Sequence, residues 1–273
     1  MFDLVDFKAM LIIALIFIPL EQLLPLHAEQ SLTRRHWLND VFYLLFNGIV
    51  IKFGLLLVVG AAMLLVERLI PQALTAAVRS QPVWLQAIEV LVLADIGFYL
   101  AHRAFHAVPF LWRFHAIHHS IEEMDWLAAH RVHPVDQILT KSASLLPVFA
   151  LGFSGEAIFI YVLIYQWQSV FIHSNTRIRF GPLKWLLASP QFHHWHHANE
   201  RQAFDKNFAG QLPLLDLLGG TLYMPDRMPE KYGVDVPVPQ LYHRQLVYPF
   251  VSDADAGPGS STVEAAPAAA KPD

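Results

Sequence analysis

The sequence predicts an all-α fold, an integral-membrane helical bundle with about four transmembrane helices and a cytosolic helical cap that holds a histidine cluster. Three observations predict this class. Hydrophobic residues make up 55% of the 273-residue chain and charged residues only 15%, well below the roughly 25% of ordinary soluble domains. The apolar residues are concentrated in stretches of membrane-spanning length. The polar stretches between them carry most of the 15 histidines.

The first two apolar stretches are residues 9–26 and 49–66. The first contains Glu21 and two prolines, but it has neither the basic start nor the small-residue cleavage site of a signal peptide, so we expect an uncleaved helix. The second is more strongly apolar, and Lys52 is its only charge.

The third apolar stretch, residues 84–101, carries two carboxylates, one of them Asp95. Carboxylates inside a membrane are costly and usually face the bundle interior or a site. The fourth stretch, residues 142–172, is too long for one simple span. We predict a membrane hairpin whose short first helix turns back into a longer one, with the break at Gly152, Ser154 and Gly155.

This pattern predicts three parts of the chain. Residues 1–101 are transmembrane anchor helices, and residues 102–250 are a histidine-rich region that includes the hairpin and would hold a catalytic site. Residues 251–273 are small, polar and proline-rich, which is typical of a disordered tail.

The basic residues predict the orientation. If the loop at residues 27–38, residues 102–141 and residues 173 onward share one side, that side holds 15 of the 19 lysines and arginines. The positive-inside tendency then predicts a multi-pass protein whose histidine clusters face the cytoplasm.

Composition also excludes several classes of site. Without cysteine, the chain has no disulfide, thiolate haem, iron-sulfur cluster or cysteine-based zinc site, so nitrogen or oxygen must hold any metal. The formal net charge of -4 gives no reason to expect nucleic acid as a partner.

The histidines fall into spaced clusters. His102 and His106 are four residues apart, and the motifs HAIHH and HHWHH each contain a triple with the spacing i, i+3, i+4. On a helix such a triple presents its imidazoles to one side, while adjacent histidines diverge by about 100 degrees, enough to serve two neighbouring ions. Asp95 and Tyr99 lie on the stripe of His102 and could orient a ligand ring. The predicted metal ligands are His102, His106, His115, His118, His119, His173, His193, His196 and His197.

The other histidines receive different interpretations. His27, His36 and His243 are predicted to be solvated or interfacial. His130 is predicted to be structural, and His133 is kept as a reserve ligand or a hydrogen-bond donor to one, because Pro134 ends a helix or forces an extended segment there. His194 lies between two predicted ligands and should point elsewhere.

Eight or nine imidazoles are too many for one zinc ion and suit two metal ions. The chain has no HExxH motif, which removes the base that a zinc protease needs. Imidazole suits zinc, copper, iron and nickel alike, so ligand chemistry leaves the metal open.

The motif order HRAFH, LWRFHAIHHS, HRVHP, FIHSN, SPQFHHWHH and NFAGQLPLLDLLGGTLYMP resembles the fatty acid hydroxylase and sterol desaturase superfamily. The resemblance covers roughly residues 90–230 and implies a histidine-ligated centre of two iron ions, with zinc as a substitute in recombinant protein. It also implies dioxygen-dependent hydroxylation of a fatty acyl or sterol-like lipid. Asn175, Asp216 and Gly220 match polar and turn positions, whereas the family's tyrosine-glycine pair is replaced by Phe208, Ala209 and Gly210.

Desaturation and ether-lipid cleavage are alternatives within the same superfamily, and a metal transporter or sensor is the alternative from a different class. A transporter would place its polar ligands near the bilayer midplane, whereas these histidines fall outside the apolar stretches.

An oxygenase needs electrons, and the chain shows no dinucleotide, haem or iron-sulfur motif. We therefore expect an external carrier resembling cytochrome b5 or a ferredoxin, which could dock on Arg103, Arg113, Arg177 and Arg179.

Overall fold

The structure is a computed structural model that describes residues 7–66 and 68–251. In this part of the chain all regular elements are helical and no strand is formed, which confirms the all-α fold. The predicted tail lies outside the described residues from residue 252 onward. The ten α-helices of the described part are α1 Phe7–Leu23, α2 Trp37–Val66, α3 Gln72–Ser80, α4 Val83–Ala107, α5 Pro109–His119, α6 Pro134–Ala150, α7 Gly155–His173, α8 Pro190–His196, α9 Leu214–Gly219 and α10 Tyr242–Val247.

Three described helices, α2, α4 and α7, are long and apolar enough to cross a membrane. Only 11% of the most apolar part of α2 is buried, and its leucines, such as Leu56 and Leu57, stay largely exposed. Apolar surface of this extent needs lipid rather than water around it. The first predicted span is not among the three, because the described part of α1 has only 17 residues.

Helix α6 lies against both α2 and α4, and α4 also packs on α7. The backbones of α4 and α6 meet at Gly97, where an added Cβ would lie 2.3 Å from the carbonyl oxygen of Ala143. Glycine is therefore required at this crossing, because any side chain would collide with backbone. The close contact fixes α4, which carries two of the predicted ligands, relative to α6.

One end of the bundle is built by α3 and the turn between α6 and α7. Gly152 adopts a left-handed φ of 76°, and its carbonyl oxygen accepts a hydrogen bond from Arg79 Nε at 3.1 Å. The side chain of Ser154 then caps α7 by accepting from the backbone N–H of Ala157. The hairpin is thus broken where the sequence analysis placed the break.

The other end of the bundle carries α5, α8 and the histidines. Here α6 begins at Pro134, and His133 is its N-cap in an extended conformation, so the extended segment that was one of the two alternatives predicted for Pro134 is present and a new helix starts after it. Proline fits the first helical position, because that residue has no helical partner for its N–H. The hairpin consequently begins eight residues earlier than predicted, at residue 134 rather than 142.

Helix α1 is tied to this end by Glu21. Its Oε1 accepts the backbone N–H of Trp126 at 2.7 Å and that of Asn175 at 2.9 Å. The Asn175 side chain also pairs with the backbone of His27, at 2.8 and 3.0 Å. The carboxylate that interrupts the first apolar stretch therefore joins α1 to the two segments that follow α5 and α7.

Candidate metal centre

The structure brings all nine predicted histidines together in two neighbouring groups. Within each group, one ligand nitrogen from each ring lies within 4.8 Å of all the others. The five-histidine group contains His102, His106, His115, His119 and His196, and the four-histidine group contains His118, His173, His193 and His197. The groups adjoin, since the rings of His119 and His197 are 4.5 Å apart between centroids.

Both sequence triples are divided between the groups. In α5, His115 and His119 join the five-histidine group while His118 turns to the other. In the second triple, His193 and His197 stay together while His196 crosses over. Each triple therefore supplies both groups, because residues at i and i+4 lie one above the other and the residue at i+3 is offset around the helix. Since the groups adjoin, all three rings of a triple still face one centre. The divergence of adjacent histidines holds, since His118 and His119 belong to different groups.

The four-histidine group has the geometry of a nitrogen cage. Its Nε2 atoms are separated by 3.2 Å between His118 and His173, 2.9 Å between His173 and His193, and 3.1 Å from His197 to His118 and to His193. Metal–nitrogen bonds of about 2.1 Å place neighbouring ligand atoms about 3.0 to 3.4 Å apart. The observed separations fit four imidazoles around one ion.

The hydrogen-bonding partners of the rings decide which nitrogen is free. Nδ1 of His118 faces the carbonyl oxygen of Arg131 at 3.0 Å, and Nδ1 of His173 faces that of Ser169 at 2.6 Å. A carbonyl oxygen only accepts, so Nδ1 carries the hydrogen and Nε2 of the neutral ring carries a lone pair. The Nε2 lone pairs of His118 and His173 therefore face each other without a hydrogen between them, and a cation is the species that such an arrangement binds.

The five-histidine group follows the same rule. Nδ1 of His102 donates to the carbonyl oxygen of Phe208 at 2.7 Å, and Nδ1 of His196 donates to that of Lys206 at 2.8 Å. Nε2 of His106 is buried and has no hydrogen-bonding partner among the described residues. An orphaned, buried imidazole nitrogen beside four other imidazoles fits a metal ligand.

Carboxylates orient two rings of this group. Nδ1 of His115 lies 2.6 Å from Oδ2 of the buried Asp136, and Nδ1 of His106 lies 3.3 Å from Oδ1 of Asp205. A carboxylate that accepts from one ring nitrogen fixes the other toward a metal and raises its basicity. Asp205 differs from Asp136 because 72% of its side chain is exposed.

Burial keeps the imidazoles of α5 and α8 neutral. It lowers the pKa of these rings well below their ordinary value of 6.5, and neighbouring histidines lower it further; the rings are those of His115, His118, His119, His193, His196 and His197. Only a neutral imidazole offers the lone pair that a metal needs. The site is therefore in its metal-binding protonation state at neutral pH.

The remaining histidines lie outside both groups. Nε2 of His194 donates to the carbonyl oxygen of Ser174 at 3.1 Å, and Nδ1 accepts from the Tyr232 hydroxyl at 2.9 Å, so the ring points elsewhere as predicted. His133 Nδ1 accepts the N–H of Val135, and Nε2 lies 3.1 Å from the carbonyl oxygen of Leu246, so the reserve ligand is a helix cap. The other four, also outside the two groups, are His27, His36, His130 and His243.

Asp95 and Tyr99 do not touch a ligand ring, contrary to the expectation from their stripe. The carboxylate of Asp95 accepts the backbone N–H groups of Gly210, Gln211 and Leu212, and the Tyr99 hydroxyl lies 3.1 Å from Thr221 Oγ1. Asp95 therefore acts on the loop that carries Phe208, the partner of His102.

Sequence reasoning missed a buried ion network behind His118. Arg34 donates to Asp125 at 2.6 and 2.7 Å and to Asp40 at 2.5 Å, and Arg131 donates to the same Asp40. The carbonyl oxygen of Arg131 accepts from His118. The available signal was weak: Arg131 lies inside HRVHP, but its partners are far away along the chain.

A cavity of about 60 Å³ adjoins both groups. Helices α4, α6 and α7 line it with Phe98, Thr140 and Tyr165, and Gln211 closes it beside the histidines. Oε1 of Gln211 is buried without a hydrogen-bonding partner in the described structure. The cavity thus connects residues of the apolar helices with the histidine rings, and its lining mixes apolar side chains with polar ones such as Thr140 and Gln211.

Comparison with known proteins gives one family. A family model for fatty acid hydroxylase matches residues 87–221. An ornithine lipid hydroxylase of Rhizobium tropici is 30% identical over 62% of this chain and 51% of its own length. Human alkylglycerol monooxygenase is 33% identical over 53% of this chain and 32% of its own, and a very-long-chain aldehyde decarbonylase of Oryza sativa is 30% identical over 54% and 26%. The chain therefore matches about half or less of the length of these relatives. No solved structure matches it.

Proposed function

The chain belongs to the fatty acid hydroxylase superfamily, and on that premise we propose that it is a membrane-bound di-iron oxygenase that hydroxylates a lipid C–H bond. The nine histidines would hold the two iron ions, five imidazoles around one and four around the other. When bound, iron would supply the reductive activation of dioxygen. The orientation of the ligands, the binding of the lipid and the exclusion of water would come from the chain's own residues.

The observation that carries this proposal is the convergence of unprotonated Nε2 atoms in two adjoining groups. A chain that needed a single structural zinc ion would require four ligands. Two all-nitrogen groups side by side, without an oxygen ligand in either, fit a binuclear centre. The superfamily then favours iron over the other metals that imidazole accepts.

The proposed reaction balances as follows. One oxygen atom of dioxygen enters a C–H bond to form a C–OH group, and the other leaves as water with two protons and two electrons. An external one-electron carrier, resembling cytochrome b5 or a ferredoxin, would supply the two electrons in two successive transfers. The lipid substrate reaches the site from the bilayer through the cavity that Phe98 and Tyr165 line.

The protein residues bind the lipid and exclude water. The buried faces of α5 and α8 cover the histidines, which are at most 5% exposed apart from His106. Such a cover protects a strong oxidant from side reactions with bulk water. Trp112 packs against the rings of His106 and His119, at 5.0 and 5.3 Å between centroids, and closes the five-histidine group on its outer side.

The exposed Arg103 lies one helical turn before His106 and is the basic residue best placed to receive an acidic carrier. The other two exposed arginines of the four predicted for docking lie elsewhere on the surface: Arg177 lies beside the end of α1, and Arg179 lies near Asp226. Arg113 donates to the carbonyl oxygens of Tyr248 and Val251, so its guanidinium stabilises the C-terminal segment of the described chain.

The second candidate function is ether-lipid cleavage. It is favoured by the relatives named alkylglycerol monooxygenase in several animals, which match this chain at 31 to 33% identity. Oxygen would again enter a C–H bond, but at the carbon next to an ether oxygen, and the product would fall apart to an aldehyde and an alcohol.

Labelled dioxygen tests both candidates. We expect membranes containing the protein, an electron donor and ¹⁸O₂ to yield a hydroxylated lipid with one labelled oxygen atom, and elemental analysis to give two iron ions per chain. A labelled aldehyde would assign ether cleavage, and an unlabelled double bond would assign desaturation. Turnover without oxygen, or a chain that binds no metal after reconstitution, would end the di-iron proposal.

A further inference from the structure

Residues 205–212 form a loop, here called the clamp loop, whose described hydrogen bonds to histidine rings all go to one group. Asp205 Oδ1 lies 3.3 Å from Nδ1 of His106, and the carbonyl oxygens of Lys206 and Phe208 accept from His196 and His102. Three of the five rings in the five-histidine group are therefore oriented by four consecutive residues of the chain.

The four-histidine group is held by other elements. His118 donates to Arg131, which the ion network of Asp40 positions, and His173 donates to Ser169 of its own helix. Nδ1 of His193 and of His197 has no hydrogen-bonding partner in the described part of the chain. No ring of this group thus has its hydrogen-bonding partner in the clamp loop.

The clamp loop has an unusual backbone that its surroundings impose. Asp205 and Asn207 adopt left-handed φ angles of 56° and 60°, which few residues other than glycine adopt without support. The Asn207 side chain donates to the carbonyl oxygens of Phe192 and Tyr223, at 2.8 and 2.7 Å, and accepts the N–H of Tyr223 at 2.8 Å.

Two carboxylates complete the support. Asp216 accepts the backbone N–H groups of Phe208 and Ala209 at 2.7 and 2.8 Å. Asp95 of α4 accepts those of residues 210, 211 and 212. Together with the three bonds of the Asn207 side chain, these make eight side-chain-to-backbone hydrogen bonds, which over-determine a loop of eight residues, so its carbonyl oxygens stand at fixed positions.

We propose that the clamp loop fixes the metal-binding geometry of the five-histidine group alone, so that the two metal ions are held, and can be lost, independently. Asn207, Asp205, Asp216 and Asp95 are then positioning residues for one ion, acting through His102, His106 and His196. This inference rests on the proposed binuclear centre and adds that different parts of the chain hold its two metal sites.

The test measures metal affinity rather than turnover. The full chain is purified in detergent, stripped of metal, and titrated with zinc(II) against a chromophoric chelator. The key variant is Asn207→Gly, which removes the three side-chain bonds but tolerates the left-handed backbone. The matched control is Asn199→Gly, because the Asn199 side chain bonds Asp235 at an exposed site and has no described hydrogen bond to the clamp loop.

We expect the wild type and Asn199→Gly to bind two ions per chain. Asn207→Gly should bind one ion as tightly as the wild type and the other about 10- to 100-fold more weakly, the usual effect of losing a residue that orients a metal ligand. Asp205→Gly should weaken the same single ion, and Asp205→Asn, which keeps an oxygen acceptor, should restore most of it.

Three outcomes would overturn the inference. Equal weakening of both ions, or no change in either, would mean that the loop does not separate the sites. A wild type that binds fewer than two ions would instead refute the binuclear centre itself. Because Asp205 is exposed, its variants test the proposal even if Asn207→Gly fails to fold, which a thermal melt of the metal-free protein would reveal.

Discussion

Adjacent histidines of this chain have different surroundings, and His193 and His194 show it most directly. His193 Nε2 lies 2.9 Å from Nε2 of His173, whereas His194 bonds the Tyr232 hydroxyl and a backbone carbonyl. Both side chains are buried. Only their direction separates a proposed ligand from a structural residue, and no composition rule distinguishes them.

This difference gives a prediction about ligation. His193→Ala should remove one of four imidazoles, lower the metal content by about one ion per chain and abolish lipid oxidation. His194→Ala, an equally buried site, should keep two ions although it lowers the melting temperature. Metal analysis and product formation in the two variants check this, and equal metal loss in both would indicate general instability instead of ligation.

Burial of the neutral imidazoles also predicts a pH dependence. The pKa values of the three proposed ligands in α5 and of His193, His196 and His197 are lowered well below 6.5 in the fold. The unfolded chain therefore binds more protons than the fold below pH 6.5, and stability must decrease as the pH falls. Each buried ring contributes about 1.4 kcal/mol per pH unit in that range.

We therefore expect the melting temperature of the metal-free protein in detergent to drop steeply between pH 7 and pH 5. Bound metal should shift the drop to lower pH, because protons must then compete with the ion for the imidazoles. A melting temperature that stays constant over this interval, with and without metal, would contradict the neutral state assigned to the rings.

At the scale of single residues, spacing predicted the histidines but not their support. The i, i+4 spacing repeats in each cluster, so it can be recognised from the sequence alone. Arg34 and Asp125, in contrast, are 91 positions apart along the chain, and Asp95 reaches residues 115 to 117 positions away. Such pairs depend on how helices cross, which periodicity does not encode.

Among the helices, the crossing of α4 and α6 matters most for the site. It joins the helix of His102 to the helix of Asp136, which orients His115. Sequence hydropathy located the apolar part of α4 but could not predict that Gly97 touches backbone. It also placed the start of α2 at residue 49, although the helix begins at Trp37, because the first turns of α2 carry polar residues that face the cap.

The crossing predicts the effect of one methyl group. In Gly97→Ala the new Cβ would meet the backbone of Ala143, which cannot move aside, so we expect destabilisation of about 1–3 kcal/mol and partial loss of metal. Gly60→Ala in α2 is the matched control, because no atom lies within 4 Å of the added Cβ. Thermal unfolding and metal content in detergent check this, and an equal effect in both would contradict it.

The whole molecule has two ends of different chemistry. The loop of residues 24–36 joins the histidine-bearing end through Asn175 and Asp125, while α3 and the α6–α7 turn form the opposite end with Arg79. Arg34 and Arg177, which belong to the basic set predicted to share a side, lie at the histidine end, and Arg79, predicted for the other side, lies at the opposite end. This agrees with the assumption behind the predicted orientation, which remains a proposal.

The orientation can be read directly, because the chain has no cysteine to remove. Ser31→Cys places a thiol at the histidine end, and Ser80→Cys places one at the opposite end; both positions are exposed. If the positive-inside tendency sets the topology, a membrane-impermeant maleimide applied to intact cells should label the Ser80→Cys variant only. Permeabilised cells should show labelling of both variants. Labelling of Ser31→Cys in intact cells would place the proposed metal centre on the outer side, where a cytoplasmic electron carrier has no access to it.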